Sequence, residues 1–262
     1  MSGSKVWSAA SGVGGAPDVV LIHGSLDRSA GLLKLSRRLD QRYLVTRYDR
    51  RGYGRSTPCD GPFGIDQQLD DLIELIARLE SIDRVVLVGH SYGGNIALAC
   101  ADRHPDLIAG VVTYESPLSW ETWWPGQSAG GDAMAWVDDP AEAAEQFMRR
   151  LIGQERWERL PATTRQARRD EGPAMVGELI DLRARPPWIA ERISAPVLAV
   201  HGELGLSHHQ TAMRMLGERL VDVEVEILPD ARHFGPNTHP DAMGDLVVDF
   251  IERRVRIGST PT

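Results

Sequence analysis

Cysteine is scarce in this chain of 262 residues: Cys59 and Cys100 are its only two, and they stand in no CxxC or other metal-ligating pattern. A pair this sparse excludes a disulfide scaffold and fits a reducing compartment. Long apolar runs are missing too. No stretch reaches about 18 apolar residues, and the opening MSGSKVWSAA lacks the apolar centre of a secretory signal. The sequence therefore predicts a soluble, cytoplasmic protein without a membrane partner. Positive charge is in deficit, with 29 Lys and Arg against 37 Asp and Glu for a formal charge of −8. Polyanion binding needs clustered cations, so nucleic acid is not an expected partner. The basic runs RYDRRGYGR (Arg47 to Arg55) and RQARRD (Arg165 to Asp170) are short, and solvated faces or structural ion pairs account for them.

What the chain does contain is an alternation. The β-rich runs PDVVLIHG, RYLVTRYD, RVVLVGHS, GVVTYES, PVLAVHGE and VEVEILPD are separated by segments long enough for crossover helices. That rhythm predicts an α/β fold with a parallel sheet covered on both faces. Ile65, Leu69, Leu72, Ile73, Ile76 and Leu79 share one helical face, and Met243, Leu246, Val247, Phe250 and Ile251 repeat the pattern near the C-terminus. Both helices should flank the sheet.

The segment from Pro117 to Arg192 breaks the rhythm, because its roughly 75 residues far exceed an ordinary connection. It holds six of the seven tryptophans: Trp120, Trp123, Trp124, Trp136, Trp157 and Trp188. They fit the core of a small helical insertion, an apolar lid over a site at the strand ends, or both at once.

One strand-like run ends in VVLVGHSYGG, which sets Ser91 between Gly89 and Gly93 and leads straight into a helical pattern ending at Pro105. A strand, Gly-x-Ser-x-Gly and a helix place the serine on a tight, strained turn with its hydroxyl exposed. Gly89, Gly93, Gly94 and Ala97 allow strand and helix to approach closely. A serine hydroxyl is a poor nucleophile without a base, a group orienting that base, and donors for the oxyanion. The backbone N–H groups of Ser25, in LIHGS, and of Tyr92 are the natural donors, with Gly24 permitting the turn. His23 reads as a buried residue bonded to backbone. His233, in LPDARHFGPNTHP after the last strand, is placed to reach over the strand ends as base, whereas His239 before Pro240 reads as a loop or capping residue. His201, His208 and His209 lack both a ligand spacing and an accompanying carboxylate, so no metal is expected.

Taken in order, LIHGS, RYDRRGYGRS, LVGHSYGG, VHGE and ARHFGPNTHP resemble the landmarks of the α/β-hydrolase superfamily, in particular its lidded esterases, C–C hydrolases and cofactor-free haloperoxidases. The resemblance implies an α/β-hydrolase fold with Ser91 as nucleophile and His233 as general base. It implies a core of residues 1–116 and 193–262, and a helical, Trp-rich cap of residues 117–192 inserted after the sixth family strand. No cofactor is implied. Asp49 corresponds to a turn residue that orders the oxyanion loop, and Arg50, Arg51 and Tyr53 lie where side chains can approach a pocket mouth. A serine at the elbow argues against the epoxide hydrolases and haloalkane dehalogenases, which use aspartate there.

Two departures stand out. Only KVWSAA is available for the N-terminal hairpin of the family, which predicts a sheet of about seven strands with the first family strand absent or vestigial. The family's acid position after PVLAVHGE is Gly205, and no Asp or Glu occurs from Leu204 to Gly217. Glu115, at the end of GVVTYES, is the first candidate for the missing acid; Glu203 is the alternative, and a chain without a functional acid is the third possibility. The expected activity is a serine hydrolase acting on a carboxylic ester or related acyl bond of a small, partly apolar substrate, with Trp120, Trp123 and Trp124 as candidate cap contacts. C–C hydrolysis, perhydrolysis and hydrophobic-ligand binding without catalysis are the alternatives.

Overall fold

The computed structural model describes residues 6–14, 17–79 and 84–255. The reading of MSGSK, and with it part of the expected loss of a first family strand, falls outside the described residues.

Among the described residues seven strands form one sheet in the order β1-β3-β2-β4-β5-β6-β7. They are β1 (Ser8–Ser11), β2 (Val19–Ile22), β3 (Val45–Tyr48), β4 (Val85–His90), β5 (Ile108–Tyr114), β6 (Val197–Gly202) and β7 (Val223–Leu228). Strand β1 runs antiparallel to β3, pairing Ser8 with Tyr48 and Ser11 with Val45, and every other pairing is parallel. Each of the six β-rich runs read in the sequence became one of the strands β2 to β7.

The helices follow as α1 (Leu33–Leu39), α2 (Ile65–Ile76), α3 (Tyr92–Arg103), α4 (Ala129–Met134), α5 (Pro140–Ile152), α6 (Gln154–Arg159), α7 (Ala162–Asp170), α8 (Gly172–Ala184), α9 (Ser207–Arg219), α10 (Gly235–Thr238) and α11 (Pro240–Arg254). The period of two along the strands sorts their side chains between two layers. Val20, Ile22, Leu87, Val111 and Val197 pack with Leu69, Leu72, Ile96 and Met213 from α2, α3 and α9. Val19, Leu21, Val86, Val88, Val112 and Leu198 pack with Leu35, Leu39, Met243, Val247 and Phe250 from α1 and α11. Burying each such side chain fully contributes roughly 1.5–3 kcal/mol, so both faces are strongly specified. Leu79 lies beyond the end of α2, which stops at Ile76, yet it still packs against the first layer.

Helices α4 to α8 all lie between β5 and β6, and α4, α5, α6 and α8 build a third apolar cluster around the fully buried Trp157, with Ala133, Ala143, Ala144, Met148, Met175, Val176 and Leu179. Leu26 and Tyr53 of the sheet domain join that cluster. No helix among the described residues is long and apolar enough to cross a membrane.

Candidate active site

Ser91 closes β4 and opens α3 with φ 54° and ψ −123°, a conformation L-residues rarely adopt. Such strain costs on the order of 1–3 kcal/mol and persists only where the surroundings enforce it. Here the Ser91 N–H donates to the Tyr114 carbonyl at 2.8 Å, and the Gly94 N–H donates back to the Ser91 carbonyl at 2.9 Å. The glycines are a matter of space. A Cβ on Gly89 would lie 2.5 Å from the Gly93 carbonyl oxygen, and one on Gly93 only 2.3 Å from the Ile22 carbonyl oxygen.

The loop after β2 runs directly against this turn, since a Cβ on Gly24 would stand 3.0 Å from the Ser91 Cβ. Gly24, the neighbour of Ser25, thus stands beside the serine, and Tyr92 follows the serine in the chain. Tyr92 is the first residue of α3, where backbone N–H groups have no intrahelical acceptor. His23 has the structural place read from the sequence. Its Nδ1 bonds the Gly24 carbonyl at 2.7 Å and its Nε2 accepts the Arg50 backbone N–H at 3.0 Å. Burial, and then the Arg50 charge, push its pKa well below the usual value, so the ring is neutral. Asp49 also orders this region, accepting the Ser29 N–H at 2.8 Å and the Arg55 N–H at 3.0 Å.

His233 follows β7 and bonds Glu115 through Nδ1 to Oε2 at 2.8 Å. Glu115 follows β5, is fully buried, and has its other oxygen held by the Gly202 N–H at 3.0 Å. A carboxylate accepts, so the proton sits on Nδ1 and leaves Nε2 of His233 as a lone pair. Gly205 is explained by the same contact: a Cβ there would lie 2.2 Å from Glu115 Oε1. The volume an acidic side chain would need at 205 is filled by the Glu115 carboxylate. Glu203 is exposed and accepts the Asp230 N–H at 3.0 Å, whereas the His233 ring bonds Glu115.

Sequence reasoning passed over the setting of His233. The buried His90, beside Ser91, donates from Nε2 to the His233 carbonyl at 2.7 Å and so ties the histidine loop to the elbow. Burial, followed by the repulsion that a protonated His233 would exert, lowers its pKa to about 3. His209, in the first turn of α9, stacks on His233 with centroids 4.7 Å apart and planes at 28°. Burial and the neighbouring His233 likewise hold it well below the usual histidine range. Adjacency to Ser91 was the one available signal for His90.

Glu115, His209 and His233 each offer a ligand atom within 4.8 Å of the others. Two donors at about 2.0–2.1 Å on a tetrahedral ion stand only ~3.4 Å apart and aim their ring planes at it. Rings stacked at 28° do not do so, and the arrangement serves imidazole packing rather than metal ligation. His201 lies in β6, and His239 occupies the N-cap position of α11, its carbonyl accepting the Met243 N–H at 3.0 Å while its ring bonds the Thr238 hydroxyl at 2.9 Å.

The tryptophans divide. Trp124 meets His208 and His209 edge-on at 4.7 and 5.4 Å, with Trp123 against it at 5.7 Å. Trp120 packs instead on Trp188, whose Nε1–H donates to Asn95 at 3.0 Å. Trp157 is the core of the insert and Trp136 is exposed. Arg50 does not reach a pocket mouth: it is fully buried and ion-paired with the fully buried Glu178 of α8. Arg51 pairs with Asp71 at 2.6 Å, and Tyr53 donates to Glu178 at 2.8 Å. Glu178 was legible only as a charge set among the apolar Met175, Val176, Leu179 and Leu182 of α8, a helix that also carries Asp181.

Fold, elbow and histidine loop together define a hydrolase of the α/β class, and residues 19–246 match the model of the alpha/beta hydrolase family, to which this chain belongs. Similar proteins within that family include 2-(acetamidomethylene)succinate hydrolase of Mesorhizobium japonicum, 24% identical and aligned over 91% of this chain and 89% of that one. Pimeloyl-[acyl-carrier protein] methyl ester esterase of Yersinia enterocolitica is 27% identical over 90% and 93%. The solved enol-lactonase of Burkholderia xenovorans superposes with a TM-score of 0.73 at 27% identity, covering 95% of this chain and 96% of that one.

Proposed function

We propose that the protein is a serine hydrolase that cleaves a carboxylic ester or related acyl bond in a small, partly apolar substrate. The observation that carries this reading is the 2.8 Å bond that His233 Nδ1 donates to Glu115 Oε2, in a chain whose half-buried elbow serine is held in a strained turn. The esterase and the enol-lactonase among the similar proteins support the choice of bond.

In this mechanism Ser91 Oγ attacks the acyl carbon while His233 Nε2 takes its proton. Glu115 keeps the other ring proton on Nδ1 and stabilises the imidazolium that forms. Negative charge on the tetrahedral oxygen is met by the N–H groups of Ser25 and Tyr92. Collapse breaks the bond to the alcohol, which leaves with the proton returned by His233. Water then attacks the acyl-Ser91 carbonyl with His233 as base, releasing the acid and restoring the serine. Residues 117–192 act as the cap, with Trp123 and Trp124 on the side of His209 and Trp120 set further back against Trp188.

Turnover of p-nitrophenyl esters of several chain lengths tests this. Wild type is expected to be active, Ser91→Ala and Glu115→Gln to lose turnover, and Glu203→Gln to be nearly unaffected. Loss in Glu203→Gln with an active Glu115→Gln would move the acid to the other loop. An inert, folded wild type would contradict ester hydrolysis.

A further inference from the structure

The oxyanion loop is held from the insert rather than from the sheet domain alone. Ser25 Oγ donates to Glu178 Oε2 of α8 at 2.6 Å. Glu178 also accepts from Tyr53 OH at 2.8 Å and from Gln68 at 3.3 Å, and it pairs with Arg50. Arg50 turns its remaining donors on the residues just before Ser25: Nε bonds the His23 carbonyl at 2.9 Å and a terminal nitrogen bonds the Gly24 carbonyl at 3.0 Å. Its guanidinium lies over the Tyr92 ring, 5.0 Å from the centroid. One buried ion pair therefore touches both residues assigned as oxyanion donors. The residue after Ser25 adds a second anchor. Leu26 has φ 51°, a strained position for leucine, and its buried side chain sits in the apolar cluster of the insert.

We infer that Glu178 is a positioning residue for the oxyanion hole: with Arg50 it clamps the Gly24–Leu26 turn, so that the insert is a structural part of the catalytic centre. The inference rests on the serine-hydrolase reading above. Its physical basis is that an oxyanion donor is effective only when fixed in advance where the charge will develop. A turn strained at Leu26 relaxes when its tethers go, and the donor then has to be ordered during the reaction. The clamp touches no substrate, so its loss falls on the transition state.

The test compares Ser25→Ala, Glu178→Gln and Asp181→Ala with wild type in ester turnover, thermal midpoint and affinity for an alkyl trifluoromethyl ketone. That inhibitor forms a hemiketal oxyanion on the elbow serine. Ser25→Ala removes the tether yet leaves the Arg50–Glu178 pair intact, so it reports even where Glu178→Gln fails to fold. Asp181 ties the same helix to the Ile65 N–H at 2.8 Å, away from the loop, and serves as the control for a merely loosened insert. Ser25→Ala is expected to lower kcat by about ten- to a hundredfold with KM nearly unchanged, and to weaken the ketone in proportion. Asp181→Ala should keep kcat within about twofold, whatever its midpoint. Unchanged kcat in Ser25→Ala, or equal losses in Ser25→Ala and Asp181→Ala, would overturn the clamp. A wild type inert towards esters would instead remove the reading beneath it, and that failure is visible before any variant is compared.

Discussion

Ser91 and Glu115 both hold positive φ angles, 54° and 48°, where ordinary residues are uncomfortable. Function and stability therefore pull apart at these positions. Ser91→Gly relieves the turn while deleting the nucleophile, and it is expected to raise unfolding stability by about 1 kcal/mol with turnover abolished; denaturant titration beside an ester assay checks both halves. Gly205 and Glu115 form a linked pair. Glu115→Gln should lower kcat by about three to four orders of magnitude, the scale known for a triad acid. Gly205→Asp alone should also inactivate, because its side chain enters the volume that Glu115 Oε1 occupies, 2.2 Å from the new Cβ. The double variant Glu115→Ala/Gly205→Asp is expected to recover part of the turnover by returning the acid to the loop after β6. A double variant no better than either single one would contradict the exchange. The missing acid at 205 could be seen in the sequence. That a glycine there makes room for Glu115 could not, since the contact needs three loops in place.

Strand β4, the elbow and α3 form the element on which the candidate site is built, and its packing leaves no room for side chains. Gly93→Ala drives a methyl to 2.3 Å from the Ile22 carbonyl oxygen, forcing β2 and α3 apart. A loss of about 1–3 kcal/mol in stability, read from the denaturant midpoint, is the expected result. Elements of this kind were legible because their signals are local. An apolar run bounded by turn residues identified each parallel strand, and Gly-x-Ser-x-Gly identified the elbow from a few adjacent residues. The helical insert was legible as an anomaly of length, though its five helices were not resolved one by one. Long-range polar contacts left little trace. Ser25 and Glu178 are 153 positions apart, and a lone glutamate in α8 does not announce which arginine, tyrosine and serine it will meet. Nor did the positions of the tryptophans along the insert separate Trp157, which fills its centre, from Trp124, which faces the histidines.

For the whole molecule the buried neutral histidines set an acid limit. His23, His90 and His209 all have folded pKa values below the ordinary 6.5, so below that pH the unfolded chain binds protons the folded one refuses. Stability is thus lost as pH falls through the window from 6.5 towards about 3, the value for His90. Each such histidine contributes a slope of roughly 1.4 kcal/mol per pH unit inside its window. Denaturant unfolding between pH 7 and 4.5 should show a decline steeper than one proton, and His90→Gln should flatten it by about one. A stability independent of pH across that range would contradict the buried neutral assignment. The central claim joins groups from β4, β5 and the loop after β7 into one reactive unit. Labelling of the intact protein with a fluorophosphonate, followed by mass mapping of the adduct, tests it most directly. The expected result is a single adduct on Ser91 in wild type, slowed strongly in both Glu115→Gln and His233→Ala. A folded wild type that takes up no label, or one whose labelling rate ignores both substitutions, would contradict it.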